Sequence, residues 1–178
     1  WRRSGDPIHR HRALEAWTRS RSLKPVSAVA ELLAGLAAFD GRDFVRAAEH
    51  FGYALQLRGR NRYARLWLGM AQAARGQFEP ALGTLESGRD AFEKNPTWHR
   101  LLGDLHFALA VASTPPDPAR LQRAEACYRA ALELWPQSPR GQASLAELLR
   151  VQERWEEAAA CYDEAWRVMS RPALLKRM

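Results

Sequence analysis

The chain has 178 residues with 47% apolar content and a formal charge of +7. That is enough to bury a sizeable apolar surface, yet no stretch approaches the roughly 18 uninterrupted apolar residues of a membrane span; the longest candidate, 28–39, is broken by Glu31. The first 25 residues hold seven Arg or Lys against Asp6 and Glu15, so +5 of the excess sits there and the remainder is nearly neutral. Nucleic acid is therefore not the expected partner for the bulk of the chain, while the basic start leaves open contact with an acidic partner or an anionic membrane surface.

In chain order, the dominant pattern is five alanines, Ala13, Ala47, Ala81, Ala124 and Ala158, at intervals of 34, 34, 43 and 34 residues. Four residues after each comes a large apolar side chain, Trp17, Phe51, Leu85, Tyr128 and Tyr162, and seven after each a small one, Ser20, Ala54, Gly88, Ala131 and Ala165. Self-similarity at this period means stacked units that bury their apolar surface against neighbours instead of in one central core. Residues 1–27 read as the second helix of a truncated unit behind a basic start. Complete frames follow over 28–61, 62–95, 96–138 and 139–172, and 173–178 begins a further helix with Ala173, Leu174 and Leu175.

Each frame reads as two helices. In the second, Leu66, Leu68, Met70 and Ala73 lie on a helix closed by Gly76, and Phe78, Ala81, Leu82 and Leu85 open another. Gly35, Gly69, Gly103 and Ala146 fall at the eighth place of their frames, where a bulky side chain would hold the paired helices apart. The second helix of the second frame carries Pro80, Gly83 and Gly88 and is expected to be the weakest. Nine extra residues separate the helices of the third frame, around 112–120, and Asp117 before Pro118 signals a helix start. This insertion reads as a tolerated surface loop or a partner contact.

These residues, in particular Leu68-Gly69, Gly76, Phe78 and Ala81 in one frame and Tyr128 with Ala131-Leu132-Glu133-Leu134-Trp135-Pro136 in another, resemble the tetratricopeptide repeat family. The resemblance spans nearly the whole chain and implies an all-α, right-handed α-solenoid of stacked helix-turn-helix repeats. The sequence departs from the family at the fourth place, where Glu31, Arg65, His99 and Gln142 replace the usual large residue, and in keeping a closing proline only as Pro25 and Pro136. Two incompletely capped ends would allow self-association, since such arrays need polar terminal units.

The resemblance also implies a function. First helices of the family line a concave groove, and their second, fifth, ninth and twelfth places face a bound peptide or helix. Carried over, the groove comprises Val29, Leu32, Leu36 and Phe39, then Tyr63, Leu66, Met70 and Ala73, then Thr97, Arg100, Asp104 and Phe107, then Arg140, Ala143, Glu147 and Arg150. The first half is apolar and the second mostly charged, which suits a protein or peptide partner of mixed character. Another part of a longer chain could equally cover Leu32, Leu36 and Phe39. The Lys, Asn and Arg clamp by which some members hold acidic chaperone tails is replaced by Leu32, Leu36, Trp67, Thr97 and Leu101.

The expected role is a scaffold or adaptor that supports assembly of a larger complex. The alternatives are a nucleic-acid or anionic-membrane binder acting through the basic start, and the docking part of a larger enzyme. No catalytic residue, metal or cofactor is expected. His99 and His106 lie seven apart on one helical face, about 10 Å along the axis and too far to share an ion; both are expected to pack against the second helix. His9 and His11 diverge, and the chain lacks phosphate-cradling, nucleophile-elbow and dinucleotide motifs. Cys127 and Cys161 occupy equivalent places one repeat apart, too distant for a disulfide, and fit a reducing compartment such as the cytoplasm.

Overall fold

A computed structural model describes residues 27–170, and among these the chain is helical without strands. The helices are α1 (Ala28–Asp40), α2 (Phe44–Leu57), α3 (Arg62–Ala74), α4 (Phe78–Glu86), α5 (Arg89–Phe92), α6 (Pro96–Val111), α7 (Pro118–Leu134), α8 (Pro139–Val151) and α9 (Trp155–Ser170). The basic start, the truncated first unit with its histidines, and the beginning of the last helix lie outside the described residues.

Two compact units divide the chain, one ending at Ala91 and the other beginning at Phe92. In the first, α1 packs on α2, α2 on α3 and α3 on α4, and α1 also touches α3. The second has the same scheme, with α6 on α7, α7 on α8, α8 on α9 and α6 touching α8. The all-α helical repeat fold follows.

Side-chain oxygens define where most helices begin. Ser27, Asp43, Asn61, Asn95, Asp117 and Ser138 each accept from an amide in the first turn of the following helix, for example Ala64 N to Asn61 Oδ1 at 3.1 Å. Asp117 with Pro118 starts α7 as the sequence predicts. The extra residues of the third frame are shared out. Relative to the first hairpin, α6 has 16 residues against 13 in α1, and α7 has 17 against 14 in α2. The connection, 112–117, takes up the rest. Lengthening both helices keeps most of the added backbone hydrogen-bonded.

Three of the four first-to-second-helix turns use one backbone device. Arg42, Gly76 and Glu153 have φ of 61°, 73° and 61°, and the residue after each, Asp43, Gln77 and Arg154, sends its amide back to Ala38, Gln72 and Leu149. That bond ties off carbonyls that the helix end would leave without a partner. Only Gly76 carries this left-handed conformation without steric cost.

Within each hairpin the packing centres on the eighth place. A Cβ built on Gly35 would lie 2.5 Å from Phe51 Cε1, one on Gly69 would lie 2.6 Å from Leu85 Cδ2, and one on Gly103 would lie 2.5 Å from Tyr128 Cε1. Phe51, Leu85 and Tyr128 are almost wholly buried, and so are Ala47, Ala81, Ala124 and Ala158. Around this contact the first unit gathers Ala47, Ala48, Phe51 and Ala71. The second gathers Ala110, Leu121, Ala124, Tyr128, Leu145, Leu148, Leu149 and Ala158.

α4 is the shortest of the second helices, nine residues against 14, 17 and 16 in α2, α7 and α9. It stops at Ser87, whose hydroxyl turns back to the Thr84 carbonyl at 2.8 Å. Gly83 supplies no side chain, and a Cβ there would meet nothing within 4 Å. Cys127 and Cys161 are half-buried thiols, and burial raises the Cys161 pKa.

Two outcomes in chemical denaturation test this packing. Gly35→Ala and Gly103→Ala should each destabilise their unit by about 1–3 kcal/mol through overpacking against a rigid ring, whereas Gly83→Ala should stabilise by about 0.5–1 kcal/mol. In thermal unfolding, Arg42→Gly and Glu153→Gly should each raise stability by about 1 kcal/mol, because they remove left-handed strain at an exposed turn.

Candidate functional site

The sixteen first-helix places that the family resemblance assigns to a partner surface are all at least partly accessible, in contrast to the buried Ala28, Glu31, Ala34, Gly35, Ala64, Gly69 and Ala71 on the same helices of the first unit. Their surroundings differ between the two units.

In the first unit, Leu32, Leu36 and Phe39 give much of their surface to the core, packing against the Ala47, Ala48, Phe51 and Ala71 group. The Phe39 ring meets Phe44 and Trp67 edge-on, each at a centroid distance of 5.1 Å, and Trp67 stacks on Phe51 at 6.2 Å. Val29 and Tyr63 are exposed, Leu66 and Met70 half-buried. Leu33, one turn beyond Val29, is 54% exposed although the periodic assignment omits it. The Arg62 guanidinium lies 5.0 Å from the Tyr63 ring centroid and donates to its hydroxyl at 3.2 Å.

In the second unit the accessible charges are largely paired with one another. Asp104 accepts from Arg100, from the Tyr128 hydroxyl at 3.0 Å and from the Ser144 hydroxyl at 3.2 Å, so one carboxylate joins α6, α7 and α8. Burial pushes the Tyr128 phenol well above its ordinary range, and the adjacent Asp104 charge adds to the shift. Glu147 accepts from Arg150 at 2.6 and 3.1 Å and from Tyr162 at 2.9 Å; hydrogen bonding from Arg150, then Tyr162, lowers its pKa. Phe107 packs on the core, while Arg140 stands exposed. Glu156 and Glu157 are exposed, and Glu157 is held by Arg154, which also reaches the buried Glu125 on α7 at 2.8 Å.

The unusual polar residues at the fourth place have a shared structural use that periodicity does not reveal. Arg65 donates to the Gly59 carbonyl at 2.8 Å, His99 Nε2 lies 2.8 Å from the Glu93 carbonyl, and Gln142 donates to the Pro136 carbonyl at 3.3 Å. In each case the carbonyl is six residues back, in the segment leading into the helix. Arg65 also reaches the Ser87 carbonyl at 2.6 Å. Glu31 instead meets His50 of α2 at 2.7 Å, nearly buried. His99 thus reaches the segment before its own helix through Nε2, with its ring edge-on to Trp98. His106 is buried.

Among the described residues no three His, Cys, Asp or Glu gather where they could hold a metal ion, and no helix is long and apolar enough to cross a membrane.

Paired helices repeated in sequence and packed through one small-residue contact define an α-helical repeat protein. A tetratricopeptide repeat profile matches residues 38–105 and a second matches 119–167, and the chain belongs to the tetratricopeptide repeat family. Its members are generally non-catalytic scaffolds, and this chain is a protein-interaction scaffold.

Solved structures agree on the fold. MamA (residues 41 to the end) from Desulfovibrio magneticus RS-1 is 20% identical with a TM-score of 0.74, over 91% of this chain and 88% of that one. TTC0263, a thermophilic tetratricopeptide repeat protein of Thermus thermophilus, is 17% identical with a TM-score of 0.72, over 80% and 74%. A chain of the APC/C hetero-tetramer Cut9–Hcn1 is 14% identical with a TM-score of 0.78, over 91% of this chain and 29% of that one. No curated protein matches the chain in sequence.

The Tyr128 bond to Asp104 makes a pH prediction. The folded protein holds the phenolic proton to higher pH than the unfolded chain does, so this contribution is complete below the ordinary tyrosine value near 10 and is lost progressively as pH rises above it toward the folded value. In an alkaline near-ultraviolet titration, Tyr128 should ionise only together with loss of helical circular dichroism, and Tyr128→Phe should remove that step.

Proposed function

We propose that the chain binds a peptide or helix of a partner protein on the exposed faces of its first helices and so supports assembly of a larger complex. The observation that carries the reading is the α1–α3 surface of the first unit, where Val29, Leu33 and Tyr63 are each more than half exposed beside the half-buried Leu66 and Met70. Apolar side chains of this size, clustered on neighbouring helices, suit an amphipathic segment that seats its own apolar residues there. Tyr63 combines a broad apolar ring with a hydroxyl, and Met70 adapts its unbranched side chain to varied shapes.

The α6–α8 surface would take a polar part of a partner. Arg100, Asp104, Glu147 and Arg150 are held by internal hydrogen bonds, so they lose little conformational freedom on binding. Arg140 is an exposed cation there that a partner carboxylate could reach. Support for complex assembly comes by analogy: the Cut9–Hcn1 structure is a hetero-tetramer of a protein with the same fold.

Binding is tested with amphipathic peptides selected from a display library on the immobilised protein and measured in solution by fluorescence anisotropy. Tyr63→Glu with Met70→Glu should weaken binding at least ~10-fold, since buried charge without a partner is costly, while helical circular dichroism stays unchanged. Unchanged affinity would remove the α1–α3 face from the proposal. Leu36 and Phe39 are unsuitable probes because their substitution would disturb the core.

A further inference from the structure

Between Glu49 and Glu79 the chain carries no Asp or Glu, yet Arg58, Arg60, Arg62, Arg65 and Arg75 stand in that interval. The first four fall in the turn between α2 and α3 and in the first turn of α3 itself. The small net charge of the repeats taken together hides this local excess.

The turn is held firmly. The Asn61 amide donates to the Arg58 carbonyl at 2.9 Å, the Asn61 side chain caps α3, and Arg65 donates to the Gly59 carbonyl at 2.8 Å and to the Ser87 carbonyl at 2.6 Å. Arg58, Arg60 and Arg62 are exposed, and among the described residues no carboxylate pairs with them. Arg46, Arg100, Arg150 and Arg167, by contrast, each pair with a carboxylate three or four residues away. Cations crowded at the start of a helix repel one another and oppose the helix dipole, an unfavourable arrangement that a bound anion would offset.

We propose that the segment bound along α3 is an acidic peptide, whose apolar residues seat on Tyr63, Leu66 and Met70 and whose flanking Asp or Glu residues meet Arg58, Arg60 and Arg62. This deepens the partner-binding reading of the α1–α3 face and rests on it. Tyr63, Leu66 and Met70 follow one another at steps of three and four residues, along one side of α3, and that side leads to Arg62 and the turn at its N-terminal end. Tyr63 and Met70 are about 10 Å apart along the axis, which two turns of a bound helix would span. None of the arginines stands at a place of the chaperone-tail clamp, which the first unit fills with Leu32, Leu36 and Trp67.

Charge commits the occupant to another molecule. Residues 1–26 and 171–178 together hold ten Arg or Lys and only Asp6 and Glu15, and a second copy carries +7, so the rest of this chain lacks the complementary charge and another copy is repelled on the whole. RNA suits the face less well than peptide, because bases stack on aromatic rings. Val29, Leu33, Leu66 and Met70 offer none, and the Arg62 guanidinium already lies 5.0 Å from the centroid of the Tyr63 ring.

The test uses peptides selected from a display library on the immobilised 178-residue chain. Those that lose binding to the Tyr63→Glu, Met70→Glu variant should carry a run of Asp or Glu beside their apolar residues. In fluorescence anisotropy at about 50 mM salt, Arg58→Glu with Arg60→Glu should weaken such a peptide at least ~10-fold with unchanged circular dichroism. The same peptide with Lys in place of its acidic residues should bind this variant better than it binds wild type. Peptides that need Tyr63 and Met70 but are neutral or basic, or that ignore the arginine reversal, would overturn the acidic assignment and leave the peptide-binding face standing. A selection that yields no peptide sensitive to Tyr63 and Met70 would overturn both. Oligouridine, or phosphatidylserine vesicles, held more tightly than the peptide and released by the same reversal would overturn peptide as the occupant.

Discussion

The close approach of two helices at a single glycine organises each of the first three hairpins. With hydrogen in place of Cβ at Gly35, Gly69 and Gly103, the helix axis comes near enough for Phe51, Leu85 or Tyr128 to lie flat over the backbone, and these side chains are then removed from water almost completely. Burial of a large side chain contributes roughly 1.5–3 kcal/mol, which more than offsets the cost of about 1 kcal/mol that glycine brings to a helix interior. The fourth hairpin has Ala146 in the same place, and Tyr162 opposite it stays 41% exposed. The contact is therefore local to each hairpin.

Polar groups do the finer positioning. Arg65, His99 and Gln142 each reach a carbonyl six residues back and anchor a first helix to the segment that precedes it. In the second unit Asp104 links three helices and Arg154 links α7 to α9. Bonds of this kind leave few buried polar groups without partners, and they hold the first-helix faces in register.

The most exposed large side chains of the described residues lie on α9. Single exposed apolar residues are common on protein surfaces.

What the amino-acid sequence determined alone was the repeat. Alanine and glycine at fixed intervals, followed by large apolar residues, announce paired helices because only small residues let two backbones approach so closely, and Asp117-Pro118 marks a helix start through local chemistry. The uses of Glu31, Arg65, His99 and Gln142 were not legible, since a departure from a pattern does not say which carbonyl or imidazole lies within reach. Periodicity likewise placed Leu36 and Phe39 on a binding face without revealing how far they sink into the core, and passed over Leu33. Tertiary structure decided these matters because exposure and hydrogen bonding depend on the distances between helices, and those distances are set by contacts among residues far apart in the chain.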